Sequence, residues 1–278
     1  MKITVAMDNN VPFYSRLPLT AEHGVSFLID TGEKRVLYDT GQTGAVVNNL
    51  VTLDIPPSTI DAIALSHGHY DHAGGLLAVL KKVRREIPVF VHPNAFVDRY
   101  SVTPTQRTPI GIPFAQDYIE ATGGTWQLTD VPMEVVPGLW FSGTIPRVTD
   151  FEIGDRRLFV GSEGGDTPDP MSDDTVLYCV GSRGLVVVGG CTHSGLVNAV
   201  RHGFTVTGLD RLQGWIGGTH LGPVGQDQQD RTIDQLAEWD PEFVAANHCT
   251  GFAMMSRLKE RFGQRFIPAF VGERIDIR

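Results

Sequence analysis

Short runs of β-forming, mostly apolar residues open the chain at Ile3 to Met7, Val25 to Ile29, Arg35 to Tyr38 and Ile60 to Leu65. Turn-forming pairs such as Asn9-Asn10 and Thr31-Gly32 separate them, which predicts strands joined by tight loops. The period then changes. From Gly75 to Glu86 the apolar residues Leu76, Leu77, Val79, Leu80 and Val83 recur at helical spacing, and Pro88 stops the pattern before a run from Val89 to Val91. The result is a strand, loop, helix, strand unit. Between Pro93 and Pro137, Pro, Thr and Gly are frequent and periodicity is weak, which reads as an insertion or lid around residues 93–137 within one domain spanning 1–278. Further strands are predicted at Leu139 to Ser142, Leu158 to Val160, Val176 to Val180 and Leu185 to Val188. Mixed units follow: a helix from Leu196 to His202, a strand from Trp215 to Gly218, and a helix from Gln228 to Trp239 capped by Asp227. A strand from Phe243 to Ala246, a helix from Phe252 to Phe262 and a closing strand from Phe266 to Val271 complete the pattern. Strands adjacent in sequence, with helices spread through both halves, predict an α/β architecture of two sheets packed face to face with helices outside.

Composition supports a loop-rich globular protein: of 278 residues, 41% are hydrophobic and 20% charged, with 31 glycines and 17 prolines. The net charge of -9 argues against nucleic acid as partner, because a phosphate backbone is attracted by clustered Lys and Arg. The densest basic stretch, Lys81 to Arg85, falls at a helix end, where cations complement the dipole. No secretory signal pattern stands at Met1 to Asp8, and no apolar stretch approaches the roughly 20 residues that span a bilayer. The expectation is a cytoplasmic protein with no membrane partner. Cys179, Cys191 and Cys249 form no paired framework, which suits a reducing compartment. Oligomeric state is left open by the sequence.

The chemistry concentrates in Ser66-His67-Gly68-His69-Tyr70-Asp71-His72-Ala73-Gly74-Gly75-Leu76, three imidazoles and a carboxylate within six positions directly after an apolar strand. Uncompensated buried histidine is costly, and neutral imidazole with carboxylate suits zinc, iron or manganese. His67 and His69 point the same way from an extended segment, while Asp71 and His72 turn toward a second position as a helix begins. One loop can thereby serve two adjacent metals. A helix-entry loop capped by Asp71 explains one such residue and not four. His193, in Gly189 to Gly195, and His248, in Ala246 to Gly251, also follow predicted strands and are ligand candidates. His220, in Gly217 to Gly222, reads as substrate-facing or as a histidine hydrogen-bonded within a tight loop. His92 and His202 read as structural.

The His-x-His-x-Asp-His run after a strand resembles the signature of the metallo-β-lactamase superfamily. So does Leu37-Tyr38-Asp39-Thr40-Gly41, whose aspartate the resemblance places behind the metal ligands as their support. The resemblance implies the metallo-β-lactamase fold, an αββα sandwich of two mixed β-sheets flanked by helices. It also implies two divalent metal ions, zinc first, with iron or manganese as alternatives. By position His193 and His248 match the middle and last histidine ligands. The pattern departs at Cys191, where a bridging aspartate is usual. Free cysteine more often acts as a small hydrophobe, so Cys191 is expected behind the ligands; Asp173 or Asp174 could supply the missing carboxylate, but capping a turn is their expected role.

A narrower resemblance rests on Ala21-Glu22-His23-Gly24-Val25-Ser26-Phe27, Ser66 through Leu76, Ile145-Pro146-Arg147-Val148-Thr149, Gly190 to Gly195, Gly217 to Leu221 and His248 to Gly251. Together these resemble the dihydropterin ribofuranosylaminobenzene 5'-phosphate synthase group. The expectation is a metal-dependent enzyme that activates water or stabilises a phosphate- or pyrophosphate-bearing substrate, either a metallohydrolase or a pterin-related transferase. Its substrate is expected to be a small, anionic molecule. His67, His69 and His193 are assigned to one metal, Asp71, His72 and His248 to the other, with Asp71 also moving a proton. His23, Arg147 and His220 are assigned to substrate. The alternatives are a general lactone, thioester or phosphodiester hydrolase, and a non-catalytic metal- or ligand-binding module.

Overall fold

The computed structural model describes residues 1–161 and 165–277. The first half runs β1 (Lys2–Met7), β2 (Ser26–Asp30), β3 (Arg35–Tyr38), α1 (Ala45–Thr52), β4 (Ala62–Ala64), α2 (Tyr70–Ala73), α3 (Leu76–Val83) and β5 (Ile87–Val91). The middle contains β6 (Arg99–Val102), β7 (Arg107–Pro109), α4 (Gln116–Glu120), β8 (Gly124–Leu128), β9 (Met133–Val136), β10 (Leu139–Phe141), β11 (Leu158–Val160) and β12 (Thr167–Pro168). The remainder is β13 (Val176–Gly181), β14 (Gly184–Gly189), α5 (Leu196–Thr207), β15 (Leu212–Gly218), α6 (Gln226–Trp239), β16 (Phe243–Asn247), α7 (Phe252–Phe262), β17 (Phe266–Pro268) and β18 (Arg274–Asp276).

Two mixed sheets of seven strands face one another. The first is ordered β18-β1-β2-β3-β4-β5-β8 and the second β17-β16-β15-β14-β13-β10-β9. In the first sheet β3, β4, β5 and β8 are parallel; in the second β14, β15, β16 and β17 are. Between the sheets lie Phe27, Tyr38, Phe141, Leu177, Val188 and Ile216, all fully buried. Leu50, Leu76, Val79 and Leu80 pack α1 and α3 on the outer face of the first sheet, and Trp215, Leu236, Met254 and Leu258 pack α6 and α7 on that of the second. Each such aliphatic side chain contributes roughly 1.5–3 kcal/mol by leaving water. The expected αββα sandwich is the fold observed. No helix among the described residues is long and apolar enough to cross a membrane.

Several elements differ from the sequence reading. Residues 93–137 are divided: β8 joins the first sheet, β9 the second, and β6 and β7 pair with β11 and β12 in a small separate sheet. Helix α1 lies where no element was expected. The closing run stops at Pro268, and the final strand is β18, which pairs antiparallel with β1. Helix α6 begins at Gln226 with Gly225 at its cap, so Asp227 stands in the first turn, where its charge still complements the dipole.

Candidate metal centre

In open α/β sheets, ligands gather beyond the carboxyl ends of parallel strands. The loops after β3, β4, β14, β15 and β16 carry Asp39, the His67 to His72 run, His193, His220 and His248, and the two sheets bring these five loops to one edge of the sandwich. Eight non-glycine residues adopt positive φ among those described, and Asp39, Thr192, His220 and His248 are four of them. Such backbone is held at a cost of about 1–3 kcal/mol and clusters at functional sites. Gly190 is required where β14 meets the loop after β4: a Cβ there would stand 2.2 Å from Ser66 Oγ.

His67, His69 and His193 form one group, all nearly free of solvent. Their ligand atoms lie within 4.8 Å of one another, and His67 Nε2 is 2.9 Å from His69 Nδ1. Ser66 Oγ lies 2.8 Å from His67 Nδ1, turning Nε2 inward. His69 Nε2 and both ring nitrogens of His193 are buried without a hydrogen-bond partner. Burial, followed by the charges of neighbouring groups, holds the His67 and His193 imidazoles well below their usual range, and burial brings His69 to about 3. These three rings are therefore neutral, the state a metal ligand needs.

A second group is built around Asp71. Its Oδ2 stands 3.7 Å from His72 Nε2, 3.4 Å from His248 Nε2 and 3.3 Å from His23 Nε2. Burial pushes the Asp71 carboxyl up, but His72 and His248 outweigh it and hold the group well below the usual carboxylate range. His72 Nδ1 donates to Asp39 Oδ2 at 2.7 Å, and Asp39 also accepts from the Ser66 amide and hydroxyl at 2.7 Å each. Burial lowers His72, yet with no cation beside it the Asp71 and Asp39 carboxylates raise it to about 9; an ion held at Nε2 would replace that proton. His248 Nδ1 faces Asn9 Oδ1 at 2.9 Å and its amide donates to Asp8 Oδ1, so Nε2 is directed inward.

The sequence reading and the geometry part company at two residues, Cys191 and Arg147. Cys191, expected behind the ligands, presents Sγ 3.2 Å from His72 Nε2 and lines the cavity. Arg147, expected against substrate, lies outside that lining; its guanidinium donates to the carbonyls of His193 and Pro170 and so holds the His193 loop. Asp173 and Asp174 do not join either ligand group. Asp173 Oδ2 accepts from the Gly68 amide and Asp174 Oδ2 from the Ser194 amide, each at 2.8 Å, so consecutive carboxylates pin the two histidine loops. Asp173 is in turn paired with buried Arg99.

His23, half-exposed, and His220, partly buried, both line a cavity of about 330 Å³ together with His69, Asp71, Cys191, His193 and His248. Ser101, Ile110 and Leu158 of the small sheet and its loops also line it. His220 Nε2 is 3.4 Å from Asp155 Oδ2, while its Nδ1 is buried without a partner. Burial lowers the His220 imidazole, but Asp155 and Cys249 lift it to about 9. Asp8, Asn9, Asp155 and Cys249 carry no spacing signal in the sequence; only the adjacency of Cys249 to His248 hints at one of them.

A family profile described as the metallo-beta-lactamase superfamily matches residues 19–192. The chain is 33% identical over 274 residues to the 7,8-dihydropterin-6-methyl-4-(beta-D-ribofuranosyl)-aminobenzene-5'-phosphate synthase of Methanocaldococcus jannaschii, covering 95% of this chain and 91% of that protein. Among solved structures, a metal-dependent hydrolase of the beta-lactamase superfamily superposes with a TM-score of 0.85 at 25% identity, covering 100% of this chain and 99% of that one. Zn(2+)-bound PqqB from Methylobacterium extorquens shares the fold with a TM-score of 0.57 at 13% identity, each chain covered in full (100% and 100%).

Proposed function

The chain belongs to the metallo-beta-lactamase superfamily, and from that premise we propose that it is a metal-dependent enzyme acting on a small phosphate- or pyrophosphate-bearing molecule at two metal positions. His67, His69 and His193 would hold the first ion, and Asp71, His72 and His248 the second. Unpartnered ring nitrogens on His69 and His193, beside His67 in one buried group, carry this reading. Each such atom costs about 1–3 kcal/mol if nothing accepts its lone pair or proton, and a cation with an imidazole donor set offsets that cost. When bound, such ions supply Lewis acidity and lower the pKa of water at the site.

The protein's own groups do the rest. Asp39 and Asn9 fix which nitrogen of His72 and His248 faces inward. The Asp71 carboxylate, held ionised by His72 and His248, accepts a hydrogen bond at Oδ2, and half-exposed His23, 3.3 Å from that atom, offers a proton route to solvent. His220, oriented by Asp155, has Nδ1 free to hydrogen-bond a substrate oxygen.

The relative's name supports a phosphate-bearing aromatic substrate and transfer of a pterin-methyl unit, while the metal-dependent hydrolase that superposes at 0.85 supports simple hydrolysis instead. Elemental analysis of the purified protein, paired with a panel of phosphate esters, pyrophosphates, lactones and thioesters, tests both parts. The expected result is about two transition-metal ions per chain from the two ligand sets and turnover of phosphorylated compounds. Absence of metal after reconstitution overturns the metal reading. Turnover confined to lactones or thioesters overturns the substrate class.

A further inference from the structure

The cavity beside the histidines carries one guanidinium. Among the described residues that line it, Arg157 is the only Lys or Arg, and neither ligand group contains it. We propose that Arg157, assisted by the Ser101 and Tyr70 hydroxyls, binds a phosphate group of the substrate that the reaction leaves intact. The site thereby selects molecules that carry an anionic group besides the one transformed at the metals. This rests on the phosphate-bearing substrate class and names the residues that recognise it.

The backbone of Arg157 is fixed to the small sheet. Its carbonyl accepts from the Val102 amide at 2.8 Å, and the next residue, Leu158, pairs with Ser101 in the β11–β6 register. The side chain is set by Asp155: Nε donates to Oδ1 at 2.9 Å and Nη2 to Oδ2 at 2.5 Å. Asp155 is 5% exposed and the Arg157 side chain 56%, so a buried carboxylate steadies a head group that remains open to ligand. A guanidinium has five N–H donors in a planar fork. With Nε and one hydrogen of Nη2 engaged, Nη1 and the other hydrogen of Nη2 form a second fork without a partner among the described residues. That fork matches two oxygens of one phosphate group. Asp155 also stands 3.4 Å from His220 Nε2, so one carboxylate orients both the anchor and the histidine that faces substrate.

The surroundings suit an anion. Ser101 Oγ and Tyr70 Oη line the same cavity without partners among the described residues, and burial followed by the Asp71 charge raises the Tyr70 phenol, keeping it a neutral donor. The two carboxylates of the lining are both matched: Asp71 by His72 and His248, Asp155 by Arg157 and His220. Neither presents an uncompensated charge to a phosphate. Asp155, Arg157 and Pro223 also line an adjoining cavity of about 430 Å³, so space continues past the anchor. Small-molecule sites span roughly 300–1,000 Å³, enough for a ligand with two polar ends.

Phenylphosphonate, whose carbon–phosphorus bond resists hydrolysis, serves as the probe in calorimetric titrations of the purified holoprotein and of the chelated protein. Binding is expected in both forms, with affinity about 10- to 100-fold lower in R157A, the loss typical of charge-assisted hydrogen bonds. R157K keeps the charge but not the fork and should fall less. S101A and Y70F should each weaken binding about 2- to 10-fold. R183A removes a half-exposed arginine paired with Glu242 outside the cavity lining and should leave affinity unchanged. Added salt should weaken wild type more than R157A, whose metal content should equal that of wild type. Equal affinity in R157A and wild type overturns the anchor and leaves the substrate class standing. Binding that disappears on chelation puts the phosphate on the metals and also overturns a separate anchor. If R157A does not fold, R157K decides: wild-type affinity there overturns the fork. Failure of phenylphosphonate and inorganic pyrophosphate alike to bind the wild-type holoprotein overturns both the anchor and the substrate class.

Discussion

Asp39 Oδ2 accepts a 2.7 Å hydrogen bond from His72 Nδ1, and neither side chain reaches solvent. The same carboxylate takes the Ser66 amide and hydroxyl, so one residue at the end of β3 orients the loop after β4. Outer contacts of this kind typically alter metal affinity 10- to 100-fold. Asp39→Ala should therefore weaken zinc binding by about 10- to 100-fold, measured by competition with a chromophoric chelator. An affinity equal to that of wild type would remove Asp39 from the site.

Metal removal should cost stability. An ion at about 100 times its dissociation constant contributes about 2.7 kcal/mol to the folded state, or roughly 5–10 °C in a chain of this size. Chelation should lower the melting temperature by about that amount, and added Zn²⁺ should restore it. His193→Ala should blunt both changes. Identical melting curves with and without chelator would count against the assignment of His67, His69 and His193.

Asp173 links the buried Arg99 guanidinium to the Gly68 amide between two ligand histidines. Breaking a buried ion pair by removing one partner costs about 3–5 kcal/mol, because the other charge stays behind in a dry site. Asp173→Ala should lose that much in urea unfolding, moderated by the second contact of Arg99 to Asp169 at 2.7 Å. Metal content should fall with it. A loss below about 1 kcal/mol, the range of an exposed pair, would place this contact with surface ion pairs.

His92 gives a pH prediction away from the metal groups. Its Nδ1 accepts from the Asn94 amide at 3.1 Å and its Nε2 lies 2.9 Å from Thr144 Oγ1, and burial lowers its pKa below the ordinary 6.5. The folded state then binds fewer protons than the unfolded one. Stability from this group is complete above pH 6.5 and declines as pH falls through 6.5 toward the lower folded value. In metal-free protein, His92→Gln should flatten the decline in melting temperature below pH 6.5 relative to wild type. Parallel curves for the two proteins would exclude the effect.

Much of the fold could be read from local pattern. The strands β1 to β5, β10, β11 and β13 to β16 and the helices α3, α5, α6 and α7 fall on runs whose period declares them. The short elements of residues 93–137 do not, because β6, β7, β8 and β9 are defined by which of three sheets each one joins. Strand β18 is similar: three residues with an exposed charged residue at each end become a strand only by pairing with β1.

For the centre, the sequence by itself determined the His67, His69, Asp71 and His72 cluster, because ligands packed into one short loop are adjacent whatever the rest of the chain does. It also marked His193 and His248 as strand-end histidines. Only the tertiary structure decided that these meet, that Cys191 and Cys249 turn their sulfurs toward them, and that Arg147, Asp173 and Asp174 brace the loops instead of lining the cavity. The physical reason is that contacts among these loops span up to 240 residues, as between His248 and Asp8. They exist because parallel strands of two sheets end along one edge, a relation that no local pattern encodes.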